Sequence, residues 1–184
     1  MLEPDFSSFP EISTGRLLLG PFEKKDAVVV LLLRSDEKVM QYIDKERTKT
    51  IEEAAAFIQR IKDDVKNNDG ITWRISLKEN PEQLIGSIGL WRIIKQHYRA
   101  EIGYMLHPGF WGKGLMIEAI QAVIDFGFNT IKLHSIEAHI NPGNAASAGI
   151  LEKTGFVREA YFKEDYFFRG KFLDSAIYSL LNKQ

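Results

Sequence analysis

The hydrophobic positions of the chain change repeatedly between the spacing of a strand and the spacing of a helix. A period close to two predicts strands over residues 16–22, 71–79, 83–94, 98–108 and 133–140, with two more between 156 and 181. A spacing of three and four predicts helices over residues 24–42, 51–65, 115–126 and 144–154, the first with a turn near Asp36. This alternation indicates a mixed α/β or α+β domain.

Local signals mark where several of these elements begin and end. Thr50 and Glu53 form a capping-box pattern at the start of the second helical region. Arg169 and Gly170 separate the last two strands and predict a hairpin turn. No stretch between the elements has the composition of a linker, so we expect residues 1–184 to form one domain.

Composition narrows the class of protein. The chain has 184 residues, of which 45% are hydrophobic and 27% are charged, as in ordinary globular proteins. Its formal net charge of −1 argues against a dedicated nucleic-acid or membrane-surface binder. The longest apolar run, residues 27–33, is too short to span a bilayer. Because the N-terminus does not resemble a signal peptide, we expect a cytoplasmic protein.

The chain contains no cysteine, which excludes disulfides, thiolate metal sites and a cysteine nucleophile. Its four histidines do not have the spacing of zinc ligands, so we expect no metal site.

The segment HPGFWGKGLMIEA, residues 107–119, joins a predicted strand to a predicted helix. Glycines allow backbone N–H groups to approach a ligand closely, and the first turn of a helix has unpaired N–H groups and a partial positive charge. The loop is therefore suited to holding phosphate, with Lys113 as an added cation. Its spacing matches neither a Walker loop nor a dinucleotide fingerprint. From the glycines alone, a tight turn without a ligand remains an equal alternative.

The neighbouring segments distinguish these alternatives. The chain resembles the GNAT superfamily of acetyl-CoA-dependent N-acetyltransferases in three segments that follow one another in the same order. They are AEIGYML, WGKGLMIEA and NAASAGILEKTGF. The closest resemblance is to the RimJ/RimL-like branch, which acetylates N-termini of ribosomal proteins. It extends over nearly the whole chain, from STGRLLLGPF to FLDSAIYSLL. It implies an α+β fold with a twisted, mostly antiparallel sheet of about seven strands, flanked by helices and splayed at its centre.

The resemblance also implies how coenzyme A is held. The general family loop, Gln/Arg-x-x-Gly-x-Gly/Ala, aligns on Gly114, where Trp111 and Met116 depart from it. The loop residues expected to contact the pyrophosphate through their backbone are Trp111, Gly112, Lys113, Gly114, Leu115, Met116 and Ile117. Met105 and Leu106 are expected to pair with the pantetheine arm as with a neighbouring strand.

Two asparagines follow the strand that ends at Ile140. Asn141 and Asn144 can satisfy amides of the cofactor that would otherwise be buried without partners. The alternative is that they only form the turn and the N-cap of the next helix.

The implied reaction is direct attack of an amine on the thioester carbonyl, without a covalent enzyme intermediate. It requires removal of a proton from the amine and protonation of the leaving thiolate. Ser147 is the first candidate for the acid, because it lies one helical turn after Asn144 and matches the serine proposed for this role in the RimL-like branch. A small serine that only packs is the alternative.

Three residues compete for the role of base. Glu101 begins the strand that leads to the loop, and family members often have a carboxylate near that position. Glu137 and His139 lie two residues apart and so share one face of the next strand. Each could instead be an ion-paired strand residue. Tyr104 and Tyr166 could hydrogen-bond the substrate.

The acceptor is the least determined part of the hypothesis. The resemblance favours the N-terminal α-amine of a protein, a ribosomal protein being one such partner. Polyamines, aminoglycosides and amino acids remain alternatives, as does a non-catalytic acyl-CoA-binding sensor. We expect no direct contact with nucleic acid or membrane, and a monomer or a homodimer.

Overall fold

The computed structural model describes residues 1–183, in which strands and helices alternate along the chain. The strands are β1 (Ile12–Ser13), β2 (Leu17–Gly20), β3 (Ile71–Leu77), β4 (Gly86–Ile94), β5 (Arg99–Leu106), β6 (Ser135–Ile140), β7 (Val157–Phe168) and β8 (Lys171–Leu181). The helices are α1 (Ala27–Ser35), α2 (Glu37–Met40), α3 (Ile51–Lys66), α4 (Leu115–Asp125) and α5 (Ala145–Lys153). Every predicted element is present, and the break between α1 and α2 falls at Asp36 as expected.

Within the described residues, eight strands form one sheet in the order β1-β2-β3-β4-β5-β6-β8-β7. All neighbouring strands are antiparallel except β5 and β6, which are parallel. The predicted α+β fold with a mostly antiparallel sheet is confirmed. The eighth strand is β1, which has only two residues and is therefore too short to give a periodic signal.

Helices cover both faces of this sheet. On the α4–α5 face, alternate strand residues such as Trp73 and Ile102 pack against the buried stripe of α4. The stripe is the predicted one and consists of Leu115, Met116, Ala119, Ile120 and Val123. On the α1–α3 face, α1 and α3 enclose a smaller core that Met105 of β5 contacts. Among residues 1–183, none of the helices has both the length and the apolar character needed to cross a membrane.

The pairing of β5 with β6 is short. It joins Arg99–Glu101 to Ser135–Glu137 and stops there. Beyond this point β5 continues to pair with β4 as far as Leu106, and β6 continues to pair with β8 as far as Ile140. The two strands therefore part while each keeps its outer neighbour, as the prediction of splayed central strands requires. We call the resulting gap the β5–β6 opening.

Removal of a buried side chain from α4 tests the packing of the α4–α5 face. Ile120 is fully buried, so Ile120→Ala removes apolar contacts and leaves a cavity. We expect it to lower the free energy of unfolding by about 2–5 kcal/mol in denaturant titrations. The matched control is Val28→Ala on the exposed side of α1, which should change stability by less than about 0.5 kcal/mol. Equal effects of the two substitutions would contradict this packing.

Candidate active site

The loop between β5 and α4 has an open, left-handed backbone. Gly112 and Gly114 have φ angles of 73° and 72°, a region that side chains rarely adopt. A Cβ added at Gly112 would meet no atom within 4 Å, so the surface of the loop is open. Gly114 is the N-cap of α4, and no side chain caps this helix. The first-turn N–H groups of α4 are therefore available to an anion, and the loop is suited to holding phosphate.

The two departures from the family pattern have structural roles. Met116 is buried in the core between α4 and the sheet, as is Leu115, so neither side chain occupies the surface of the loop. The indole Nε1 of Trp111 donates a hydrogen bond to the Leu106 carbonyl at 2.7 Å. Lys113 Nζ lies 5.2 Å from the ring centroid of Phe110. Gly112 and Gly114 lie in the loop itself, and Ile117 lies in the first turn of α4.

The edge of β5 at the opening is formed by alternate residues. The His107 N–H donates to the Ile85 carbonyl, so the antiparallel ladder directs the backbone of Met105 toward β4. By the same alternation, the backbone groups of Tyr104 and Leu106 face the opening. Of the two residues predicted to pair with the pantetheine arm, Leu106 therefore has the suitable orientation and Met105 does not. The Leu106 carbonyl already accepts a hydrogen bond from Trp111.

An arginine far away in sequence contacts the loop. Arg16 precedes β2 and donates through Nη1 to the Lys113 carbonyl at 2.9 Å. Its Nε bonds Glu118 Oε2 at 2.7 Å, and its backbone N–H bonds Glu118 Oε1 at 2.7 Å. Although burial opposes the shift, hydrogen bonds from Thr14 and Arg16 lower the pKa of Glu118. Arg16 therefore neutralises the one acidic side chain in the first turn of α4.

Sequence reasoning missed Arg16. The segment STGRLLLGPF carries no signal that its arginine lies against a loop about a hundred residues later.

Asn141 and Asn144 both use their side-chain oxygens locally. Asn141 Oδ1 accepts from the Gly143 N–H, and Asn144 Oδ1 accepts from the Ser147 N–H as the N-cap of α5. Turn and cap formation is therefore part of their role. In residues 1–183 their amide nitrogens donate no hydrogen bond, so each has a donor left for a ligand.

Ser147 has a partner that the sequence analysis did not assign to it. Its Oγ lies 2.7 Å from the hydroxyl of Tyr104, and the two residues connect β5 to the first turn of α5 across the opening. Both lie on the α4–α5 face, and both are largely buried. Burial raises the pKa of Tyr104 to about 12, with the Ser147 hydrogen bond acting in the opposite direction. The tyrosine is therefore protonated at neutral pH and can donate a proton.

The three candidate bases lie together on the other face. Glu101 and Glu137 are directly opposite each other in the last pair before the strands part. One ligand-type atom from each of Glu101, Glu137 and His139 lies within 4.8 Å of the others. His139 Nε2 is 3.4 Å from Glu137 Oε1. Because Ala100 and Ile102 face α4, Glu101 faces the α1–α3 side.

Both carboxylates of this cluster have an arginine partner. Arg92 Nη1 lies 2.9 Å from Glu101 Oε2, and Arg99 Nη2 lies 3.3 Å from Glu137 Oε2. Arg92 has a φ of 48° within a β-bulge of β4, which turns its side chain toward Glu101. These cations offset the charge that a metal ion would otherwise neutralise. The cluster is thus better suited to proton transfer than to metal binding. Tyr166 lies apart and donates to the Asp44 carbonyl.

Proton donors and proton acceptors therefore lie on opposite faces of the sheet at the same opening. Tyr104 and Ser147 lie on the α4–α5 face, to which the glycine loop leads. The carboxylates and the histidine lie on the α1–α3 face. Such an arrangement can serve a reaction in which one substrate enters from each side of the sheet.

Comparisons with known proteins agree with this geometry. Residues 16–157 match the family described as acetyltransferase (GNAT) domain. The uncharacterized N-acetyltransferase YoaA of Bacillus subtilis (strain 168) is 33% identical over 173 residues, covering 94% of this chain and 97% of YoaA. A crystal structure of a GNAT-family acetyltransferase from Bacillus anthracis has a TM-score of 0.83 at 32% identity, covering 95% of this chain and 100% of that one. The chain therefore belongs to the GNAT acetyltransferase family. It is an N-acetyltransferase, and its cosubstrate is acetyl-CoA.

Two other relatives have named acceptors. Spermidine N(1)-acetyltransferase of Vibrio cholerae serotype O1 is 26% identical over 160 residues, covering 87% of this chain and 90% of the enzyme. Ribosomal protein uS5-alanine N-acetyltransferase of Escherichia coli (strain K12) is 30% identical over 100 residues, covering 54% of this chain and 52% of the enzyme. Because these acceptors differ, membership of the family does not identify the acceptor of this chain.

The contact between Arg16 and the loop can be tested by substitution. Arg16→Ala removes the hydrogen bond to the Lys113 carbonyl and exposes phosphate to the charge of Glu118. We expect the KM for acetyl-CoA to rise about tenfold, as for the loss of charge-assisted hydrogen bonds. The double variant Arg16→Ala, Glu118→Gln should recover part of this loss, because the repelling charge is removed.

The matched control is Arg158→Ala, which removes an exposed arginine of β7 and should leave this KM unchanged. If Arg16→Ala also leaves it unchanged, Arg16 has no part in cofactor binding.

Proposed function

We propose that residues 1–184 act as one acetyltransferase domain that transfers an acetyl group from acetyl-CoA to a primary amine within a ternary complex. The observation that carries this proposal is the arrangement of ionisable side chains around the β5–β6 opening. Candidate proton acceptors lie on one face of the sheet and candidate proton donors on the other. The nitrogen of the amine attacks the thioester carbonyl through the opening, the carbon–sulfur bond breaks, and no bond to the enzyme forms.

On the α1–α3 face, Glu101, Glu137 and His139 take up the proton of the amine. Glu101 is our first candidate for the base, because it is buried and Arg92 fixes its carboxylate. His139 is more exposed and lies next to Glu137, so it can pass the proton to solvent. Transfer through a water molecule suits a cluster in which several groups are within reach of one another.

On the α4–α5 face, Tyr104 and Ser147 protonate the leaving thiolate. Sequence reasoning favoured Ser147, but a serine is a weak acid without assistance. The hydrogen bond between the two hydroxyls supports a joint role, with Tyr104 as the proton donor and Ser147 as the residue that orients it. The high pKa of Tyr104 means that it retains its proton over the whole neutral range.

Coenzyme A binds along the same face. The backbone N–H groups from Trp111 to Ile117 hold the pyrophosphate at the start of α4, supported by the uncapped helix and the two left-handed glycines. Leu106 and its neighbour Tyr104 present a strand edge to the pantetheine arm, and Asn141 and Asn144 offer free amide N–H groups near its reacting end.

For the acceptor, we propose the N-terminal α-amine of a protein. This choice is supported by the RimJ/RimL-like motifs and by the similarity to the uS5-alanine enzyme.

A polyamine is the second candidate. It is favoured by the spermidine acetyltransferase of Vibrio cholerae, which matches over 87% of this chain, a larger share than the uS5-alanine enzyme covers.

The function is tested by measuring thiol release from acetyl-CoA with a panel of amines. The panel contains short peptides with free N-termini, spermidine, an aminoglycoside and free amino acids. We expect the peptides to give the highest kcat/KM, and the same peptides blocked by N-formylation to give none. A higher kcat/KM for spermidine would replace the peptide assignment with the polyamine one.

A variant of the loop tests whether coenzyme A binds there. Gly114→Asp introduces a negative charge and a side chain at a left-handed position, so it should abolish both turnover and the thermal shift caused by coenzyme A. If the parent shows this thermal shift but releases no thiol with any amine, the chain is a sensor of acyl-CoA rather than an enzyme.

The roles of Tyr104 and Ser147 lead to a separate prediction. Tyr104→Phe should lower kcat about a hundredfold, in the range for loss of a general acid, with little change in the KM for acetyl-CoA. Ser147→Ala should lower kcat less, and the double variant should be no worse than Tyr104→Phe, because the serine acts through the tyrosine. Tyr161→Phe, on the exposed side of β7, is the control. A large loss in Ser147→Ala with normal turnover in Tyr104→Phe would return the acid role to the serine.

A further inference from the structure

One tryptophan of this chain is exposed without a hydrogen-bond partner. Trp73 is buried and donates through Nε1 to the Pro10 carbonyl, and Trp111 donates to the Leu106 carbonyl. The side chain of Trp91 is 40% exposed, and within residues 1–183 its Nε1 donates no hydrogen bond. A large ring that is neither fully buried nor held by its polar atom leaves aromatic surface open to a ligand.

The ring lies at the β5–β6 opening on the acceptor side. Trp91 pairs with Glu101 across β4 and β5, so both side chains are on the α1–α3 face. A Cβ added at Gly103 would overlap the six-membered ring of Trp91 at Cη2 and Cζ2. The ring therefore extends along β5 from Glu101 over Gly103, and Gly103 is the first residue on this face beyond the last β5–β6 pair.

The bulge in β4 leaves the ring free of cations. A side chain next in sequence would normally point to the opposite face of a strand, but the left-handed backbone of Arg92 brings it to Glu101. The guanidinium is thus engaged by the carboxylate, and no cation of the described residues stacks on Trp91. An unoccupied aromatic face lies beside a carboxylate, which is the combination that binds an ammonium ion.

We propose that Trp91 binds the protonated amine of the acceptor by a cation–π interaction and delivers it to Glu101 and Glu137. The tryptophan would thus be a specificity-determining residue: it favours acceptors that arrive as ammonium ions, and it holds the nitrogen beside the opening until the carboxylates remove a proton. Gly103 is part of this subsite, because only a residue without a side chain lets the ring lie over β5. The inference rests on the proposed transfer of an acetyl group to an amine.

Steady-state kinetics of three variants test the proposal, with the best acceptor of the amine panel. Trp91→Leu keeps an apolar side chain but removes the aromatic face. We expect the KM for the amine to rise about tenfold, the range of a partly desolvated cation–π contact, with an unchanged KM for acetyl-CoA. Trp91→Phe retains a weaker aromatic face and should raise the amine KM less than about threefold. Gly103→Ala displaces the ring and should act like Trp91→Leu.

Trp111→Leu is the matched control, since it removes another half-exposed tryptophan, but one on the cofactor side. It should raise the KM for acetyl-CoA and leave the amine KM unaltered. Binding of the same amine to the complex of each variant with coenzyme A, measured by calorimetry, should weaken in parallel with the rise in amine KM.

An unchanged amine KM in Trp91→Leu, or equal values for the leucine and phenylalanine variants, would overturn the assignment while leaving the acetyltransferase function intact. A parent protein that neither releases thiol with any amine nor binds one would contradict the proposed function itself. The two failures are therefore distinguishable.

Discussion

The structure depends on the separation of β5 from β6 after a single short run of parallel pairing. Glu101 and Glu137 form the last pair, and from there each strand continues with only its outer neighbour. Separating two central strands leaves backbone N–H and C=O groups without partners, which is costly in a protein interior. A sheet keeps such a gap when another group supplies the missing hydrogen bonds. The gap is thus both a structural cost and a binding surface.

The rest of the fold keeps the gap open. Antiparallel pairing holds β5 against β4 and β6 against β8, so neither strand can move across to close it. Trp111 satisfies the Leu106 carbonyl at one end, and the hydrogen bond between Tyr104 and Ser147 spans the space on one face. These contacts involve rigid elements, and a site on rigid elements keeps reacting groups in register.

Hydrophobic spacing predicted most of the strands and helices, because most have a buried face long enough to repeat. The strand β7 is almost entirely exposed, and it was predicted together with β8 from the turn at Arg169 and Gly170. Hydrophobic spacing also predicted the buried stripe of α4, on which the glycine loop is mounted. The strand β1 was not predicted, because two residues cannot establish a period. The loop and the residues from Asn141 to Ser147 were recognised for a different reason, because each is a short continuous motif that resembles a known family.

The remaining contacts of the candidate site were not predictable, because they join distant parts of the chain or depend on unusual backbone. Tyr104 meets Ser147 across 43 residues, and Arg16 meets Glu118 across 102. Neither partner carries a local signal of the other. The left-handed conformation of Arg92 could not be predicted either, because no residue near position 92 signals a β-bulge.

The link between Arg16 and the loop also has a consequence for how the protein assembles. The chain before β2 and the glycine loop are tied together, because Arg16 holds both the Lys113 carbonyl and the Glu118 carboxylate. By linkage, any ligand that binds the loop in this shape stabilises the docked N-terminal segment. Binding of a ligand to the glycine loop should therefore increase the protection of the backbone amides around β2 against hydrogen exchange.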